Sequence, residues 1–184
     1  MQQTKPHNSF GNPFIKPKWE MRLSEKEFSE WWQIQNKVSF FFNGASKGNE
    51  GIVGVGSLSY YPGGMLETSF SWGIEQSTNN QAEIIALLKA CQLAKEAGHK
   101  DLQIFGDSEI LIKVLNTDKH FNEFSLNGTM QRIQFILTEF DIVSFFHILR
   151  ELNKKVDSKA NRGCQLPIGM LSLNEGPSLK HQIT

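Results

Sequence analysis

Residues 38–73 read VSFFFNGASKGNEGIVGVGSLSYYPGGMLETSFSWG, and the punctuation of this stretch decides the fold. The apolar run 38–42 ends at Asn43-Gly44 and predicts a buried strand. Residues 52–61 and 65–73 are β-prone, and Pro62-Gly63-Gly64 between them predicts a hairpin. Next, Thr78 and Gln81 form a capping box that opens a long helix. Its apolar positions Ile84, Leu87, Leu88, Cys91 and Ala94 recur at three- and four-residue spacing, and Gly98 stands where a C′ glycine belongs. Residues 102–105 predict another strand, with Asp107 as the cap of a helix to about residue 115. Ile133, Phe135 and Phe140 suggest a helix from about residue 125. A strand over 142–149 follows, then a final helix capped by Asn153 and ending at Gly163. The order β-β-β-α-β-α-α-β-α implies an α/β domain with a mixed sheet and helices on its faces.

Outside this alternation the composition changes. Residues 1–36 hold Pro6, Pro13 and Pro17 with Trp19, Trp31 and Trp32, and they read as a linker or connection segment. Within them SEKEFSEWWQ, residues 24–33, predicts a short amphipathic helix with Ser24 as N-cap and Glu27 completing a capping box. Residues 37–165 read as one domain, and 166–184, polar with Pro167 and Pro177, as a flexible tail. No repeat occurs at periods of 20–50 residues. Hydrophobic residues at 39% and charged residues at 21% exclude a collagen-like, coiled-coil or wholly disordered chain. No apolar run approaches the roughly 18 residues needed to cross a bilayer, the first residues carry no apolar signal core, and two cysteines suit a reducing compartment. The expectation is an intracellular monomer, nuclear or cytoplasmic, with no membrane partner. Basic and acidic residues both number 19, which argues against a broadly basic nucleic-acid coat and leaves room for a local patch.

In such a layout, acids at strand ends and in the first turns of helices can converge. Glu83, Asp107 and Asp157 hold positions of that kind. Oxygen ligands gathered around two hard cations about 3.5–4 Å apart make a site that cleaves phosphodiesters. Acids near helix N-termini also serve simply to complement the helix dipole, and spacing alone leaves both readings open.

Four stretches, FFNGASKGNEG, STNNQAE, LQIFGDSEIL and ILRELNKKVDSKANRG, stand in the order and spacing of ribonuclease H type 1 domains. Over about residues 36–165 the chain resembles the reverse-transcriptase-like ribonuclease H modules of plant proteins and retroelement polyproteins. The resemblance implies a ribonuclease H-like fold with a five-stranded mixed sheet flanked by helices. It also implies metal-dependent endonucleolytic hydrolysis of the RNA strand of an RNA–DNA hybrid, with two Mg²⁺ ions and Mn²⁺ as a substitute. The family's four carboxylates, catalytic and metal-holding at once, fall on position 43, Glu83, Asp107 and Asp157. Position 43 departs from the pattern, because Asn43 stands where the family has aspartate. An amide keeps the shape but offers a neutral carbonyl and an NH₂ group that repels cations, so a large loss of rate is expected. A natural decayed copy and a deliberate substitution both fit.

The same register puts Asn49, Asn79 and Asn80 where the family contacts the minor groove, and their donor and acceptor suit a 2′-hydroxyl. Gln81 adds a further substrate contact, its capping role being the alternative. The basic segment 150–162 suits either backbone phosphates or a solvated face. Trp72 reads as a packing residue, Cys91 as core, and His147 as a strand histidine rather than the family's loop histidine. Three functions compete: an impaired ribonuclease H, a non-catalytic hybrid-binding module, and a retroelement relict.

Overall fold

The computed structural model describes residues 24–48, 51–117 and 121–175. Six strands, β1 (Val38–Lys47), β2 (Gly51–Tyr60), β3 (Leu66–Ser77), β4 (Asp101–Gly106), β5 (Ile142–His147) and β6 (Leu171–Glu175), form one sheet in the order β5-β4-β1-β2-β3-β6. β1 runs parallel to β4, and β4 parallel to β5, while the β1–β2, β2–β3 and β3–β6 pairs are antiparallel. The helices are α1 (Glu25–Ile34), α2 (Asn79–Glu96), α3 (Glu109–Asn116), α4 (Phe124–Leu137) and α5 (Lys154–Gly163), the last preceded by a 3₁₀ turn, Arg150–Asn153.

The sheet is therefore mixed and helix-flanked, as expected, but it has six strands rather than five. The sixth lies inside the stretch read as a flexible tail. Its alternation, Leu171-Ser172-Leu173-Asn174, is too short to stand out by periodicity. What seats it is local: Gly73 N–H donates to the Met170 carbonyl at 3.1 Å and Gly169 N–H to the Gly73 carbonyl at 2.7 Å, with Gly169 at φ 83°. Leu171 and Leu173 then align with Trp72 and Phe70.

Strand β1 explains why residues 38–42 are apolar without alternation: both of its faces are covered. Phe40 and Phe42 join the larger core with α2, α3 and α4, whereas Phe41 joins a second core on the opposite face with Phe105, Phe146 and Val156. There Phe41 stacks on Phe105 at a centroid distance of 4.7 Å, and Phe105 on Phe146 at 5.3 Å. Helix α1 roofs this stack with Phe28, Trp31 and Trp32, and Ser24 Oγ accepts from Glu27 N–H at 3.2 Å. The hairpin turn closes with Gly63 and Gly64 at φ 89° and 91°.

Helix α5 lies directly on the backbone of β2 and β3. A Cβ at Gly56 would sit 2.6 Å from Ala160 N, and one at Gly73 3.1 Å from the Gly163 carbonyl oxygen at the end of the helix. Glycines in β2 thus let α5 descend until Asp157 reaches β1. Among the described residues no helix is long and apolar enough to cross a membrane. Asn49, assigned to substrate contact, and Trp19 lie outside the described residues.

Candidate functional site

Asn43 lies in the middle of β1 and is 3% exposed. Its Nδ2 donates to Asp157 Oδ1 on α5 at 2.8 Å, and Asn161, one turn further along α5, donates to Asp157 Oδ2 at 3.2 Å. Glu83 enters from the first turns of α2. The capping box starts that helix, with Thr78 Oγ1 accepting from Gln81 N–H at 3.3 Å and Gln81 Oε1 accepting from Thr78 N–H at 3.0 Å. Gly44 then lets the helix approach, since a Cβ there would lie 2.5 Å from both the Ala82 carbonyl oxygen and Glu83 N. The Gly44 N–H faces the Glu83 carboxylate and favours its charged form.

Asp107 follows β4, but it does not cap the next helix as its position suggested. Ser108 does, accepting from Leu111 N–H at 3.4 Å. Being one residue outside the cap leaves the Asp107 carboxylate free to meet Asn153. Asn153 likewise makes no cap hydrogen bond with its side chain. Buried to 1% exposure, it donates through Nδ2 to the Phe42 carbonyl at 3.2 Å and to Asp107 Oδ2 at 3.3 Å. His147 Nε2 lies 3.2 Å from the Asp107 carbonyl oxygen at the end of β5.

The structure therefore brings Asn43, Glu83, Asp107 and Asp157 to one rim, where the Asn43 and Asn161 amides hold Asp157 and the Asn153 amide holds Asp107. Burial foremost, then the charge of Asp107 and more weakly that of Asp157, push Glu83 well above the ordinary glutamate value of 4.5, against the Gly44 N–H and Arg150. Burial also raises Asp107, opposed by the Asn153 amide, Arg150 and His147. Glu83 Oε2 is buried with no hydrogen-bond partner.

Oxygen donors of this type suit a hard divalent cation, and the orphaned Glu83 oxygen is an atom such an ion would satisfy. The Asn43 end of the rim fits less well, because an N–H donor is turned onto Asp157. Among the described residues no three His, Cys, Asp or Glu side chains form a group that could hold a metal ion.

A raised carboxyl holds its proton more tightly in the folded chain than in the unfolded one. Its favourable contribution is present at and below the ordinary value and is lost as pH rises through the folded value. Without added cations, Glu83→Gln should accordingly raise the melting temperature by a few degrees at neutral pH, with the gain vanishing as pH falls toward 4.5. Calorimetry across that range checks it, and a gain that persists unchanged in acid would sink the electrostatic account.

Of the other predicted residues, Asn79 and Asn80 are exposed in the first turn of α2. Gln81 is committed to the capping box and also reaches Ser125 Oγ at 3.5 Å. Trp72 is partly buried against the core with Lys89 Nζ 5.5 Å from its ring centroid. Cys91 is fully buried, its thiol pushed up to about 12. Sequence reasoning missed Asn153 and Asn161 as partners of the acids. The available signal was their spacing, four residues on either side of Asp157: Asn161 stands one turn along α5 from Asp157, while Asn153 directly precedes the helix.

The chain matches the family described as reverse transcriptase-like over residues 41–163. Ribonuclease HI of Halobacterium salinarum is 34% identical over 125 residues, 68% of this chain and 63% of that protein. Ribonuclease H of a Sulfurovum species is 30% identical over 84 residues, 46% of this chain and 54% of that one. The chain thus spans between about half and two-thirds of the length of these relatives. In structure it is similar to RNase H1 of the same halophilic archaeon, at 34% identity and a TM-score of 0.67, over 70% of this chain and 97% of that one. LC11-RNase H1, solved in complex with an RNA/DNA hybrid, is 25% identical with a TM-score of 0.66 over 70% and 97%.

Proposed function

Because the chain belongs to the reverse-transcriptase-like ribonuclease H family, we propose that it binds RNA–DNA hybrids and that Asn43 holds its hydrolysis of the RNA strand far below the family's capacity. The observation that carries this is the 2.8 Å hydrogen bond from Asn43 Nδ2 to Asp157 Oδ1. It engages one acid with an N–H where a bridging carboxylate and a cation would otherwise stand. In this reading Glu83, Asp107 and Asp157 hold Mg²⁺, or Mn²⁺ in its place. Bound ions would supply an activated water and offset charge on the leaving oxygen. Asn153 keeps Asp107 aimed at the rim and Asn161 does the same for Asp157. Asn79 and Asn80 read the 2′-hydroxyl, and Asn49 is assigned to the same task.

A second reading, a hybrid-binding module without chemistry, is favoured by the same hydrogen bond, since the amide satisfies Asp157 at no cost in added charge. Cleavage of an end-labelled hybrid in Mg²⁺ and in Mn²⁺ separates the two. Slow metal-dependent cleavage supports the first, and binding with no cleavage in either metal supports the second. Neither binding nor cleavage defeats both.

Recognition is tested apart from chemistry. Replacing Asn79 and Asn80 together by Ala should lower the preference for hybrid over DNA duplex by about tenfold, because donors and acceptors to the 2′-hydroxyl are lost. Competition binding at fixed salt measures it. An unchanged ratio would remove both residues from the recognition surface.

A further inference from the structure

On the face opposite α2, a trough of about 600 Å³ follows the outer side of α5. Its floor is Leu58, Tyr60 and Leu66, and Lys154, Lys155 and Lys159 form its wall. It continues into a cavity of about 430 Å³ beneath α1, where Trp32 joins Tyr60, the two rings meeting edge to face at 5.1 Å. Among the described residues none of the three lysines forms an ion pair. Glu25 and Glu151 line the α1 end, so the cationic character belongs to the β3 side. The groove thus pairs a partly aromatic floor with an unneutralised basic wall.

Charge narrows the occupant. The chain's own residues 1–23 carry Lys5, Lys16, Lys18 and Arg22 against Glu20, so they would bring more positive charge to a positive wall. A duplex offers phosphates but hides the faces of its bases. An unpaired strand offers both, phosphates to the lysines and flat bases to the rings. Asn153, whose amide holds Asp107, also lines the cavity under α1, so the groove begins beside the rim of acids.

We propose that this groove between α5 and strands β2 and β3 is a second nucleic-acid site that takes single-stranded RNA or DNA. The choice of nucleic acid as the polyanion rests on the proposed function; the groove's geometry does not.

The test is fluorescence anisotropy on the full chain with three probes: a short single-stranded RNA, an RNA–DNA hybrid of the same sequence, and inorganic polyphosphate as competitor. The double charge reversal Lys155→Glu with Lys159→Glu should lower single-strand affinity about tenfold and hybrid affinity far less. The Asn79 and Asn80 double variant should do the opposite. Tyr60→Leu should weaken the single strand alone. Because Tyr60 is packed, a bromouridine-substituted strand provides a second readout by cross-linking to Tyr60 or Trp32 in the unaltered protein. Equal losses for strand and hybrid, cross-links confined to α2, or polyphosphate competing as well as RNA would each overturn the proposal. Groove-dependent strand binding with no hybrid binding would leave the groove standing and defeat the proposed function instead.

Discussion

Asn43→Asp is expected to raise Mg²⁺-dependent cleavage of the RNA strand on the order of 100-fold or more, leaving 5′-phosphate and 3′-hydroxyl ends. The substitution changes one atom of the side chain from donor to acceptor. It removes the Nδ2–H that now engages Asp157 Oδ1 and adds a fourth negative charge to a rim where burial and neighbouring acids already raise Glu83 and Asp107. Two divalent ions brought close together repel, and each added ligand charge compensates part of that repulsion. The same charge must weaken the fold when no cation is present. Melting temperature should therefore fall on substitution in chelator and recover with Mg²⁺, since a ligand that binds only the folded chain stabilises it by mass action. This second readout does not depend on turnover. If the unaltered chain cleaves as fast as the variant, the role given to position 43 is wrong. If cleavage stays absent while Mg²⁺ restores the melting temperature, metal binding was repaired and another part of the machinery is missing.

Gly44→Ala is expected to be strongly destabilising and to disturb the site directly. The added carbon would lie 2.5 Å from Glu83 N and from the Ala82 carbonyl oxygen, and backbone cannot rotate aside as a side chain can. Either α2 lifts from β1 or β1 shifts, and overpacking of this kind costs about 3 kcal/mol. For a domain of this size that corresponds to a drop of roughly 6–12 °C in melting temperature. Lifting α2 also withdraws Glu83 from Asp107, so any cleavage by the Asn43→Asp background should be lost with it. Gly128, exposed in α4 with nothing within 4 Å of an added Cβ, is the control. Alanine there should stabilise by up to about 1 kcal/mol, as helix propensity dictates. Equal effects at the two positions would mean that the close approach at Gly44 does not govern stability.

The succession of β1 to β5 along the chain, the hairpin and the long helix were legible in the sequence because each has a local cause. Pro62-Gly63-Gly64 can only turn, and Thr78 with Gln81 states where α2 begins. Strand ends and helix starts made Glu83, Asp107 and Asp157 candidates, but spacing left a helix-dipole role equally open, and only the family resemblance put them in one site. What could not be read was any choice between equivalent neighbours. Asp107 and Ser108 are both good caps, and in the fold it is the Ser108 hydroxyl that accepts from Leu111 N–H while the Asp107 carboxylate meets Asn153. Asn153 looked like a cap for the same reason, yet tertiary contact turns its amide toward Phe42 and Asp107. Strand β6 was hidden because its register comes from the edge of β3, not from its own five residues.

The pairing of β1 with β2 also governs how residue 43 ages. An asparagine followed by glycine loses its amide when the next backbone nitrogen closes on the side-chain carbonyl carbon, forming a five-membered imide that water opens to an acid. Ring closure needs that peptide to swing out of the extended conformation. Here Asn43 is matched with Gly56 and Gly44 with Val55 across the ladder, the Gly44 N–H faces the Glu83 carboxylate, and the leaving amide is held by Asp157. The folded chain is thus expected to protect the amide at position 43. Drift from amide to carboxylate at this position belongs to the unfolded chain, so the fold itself keeps the rim from acquiring its fourth acid with time.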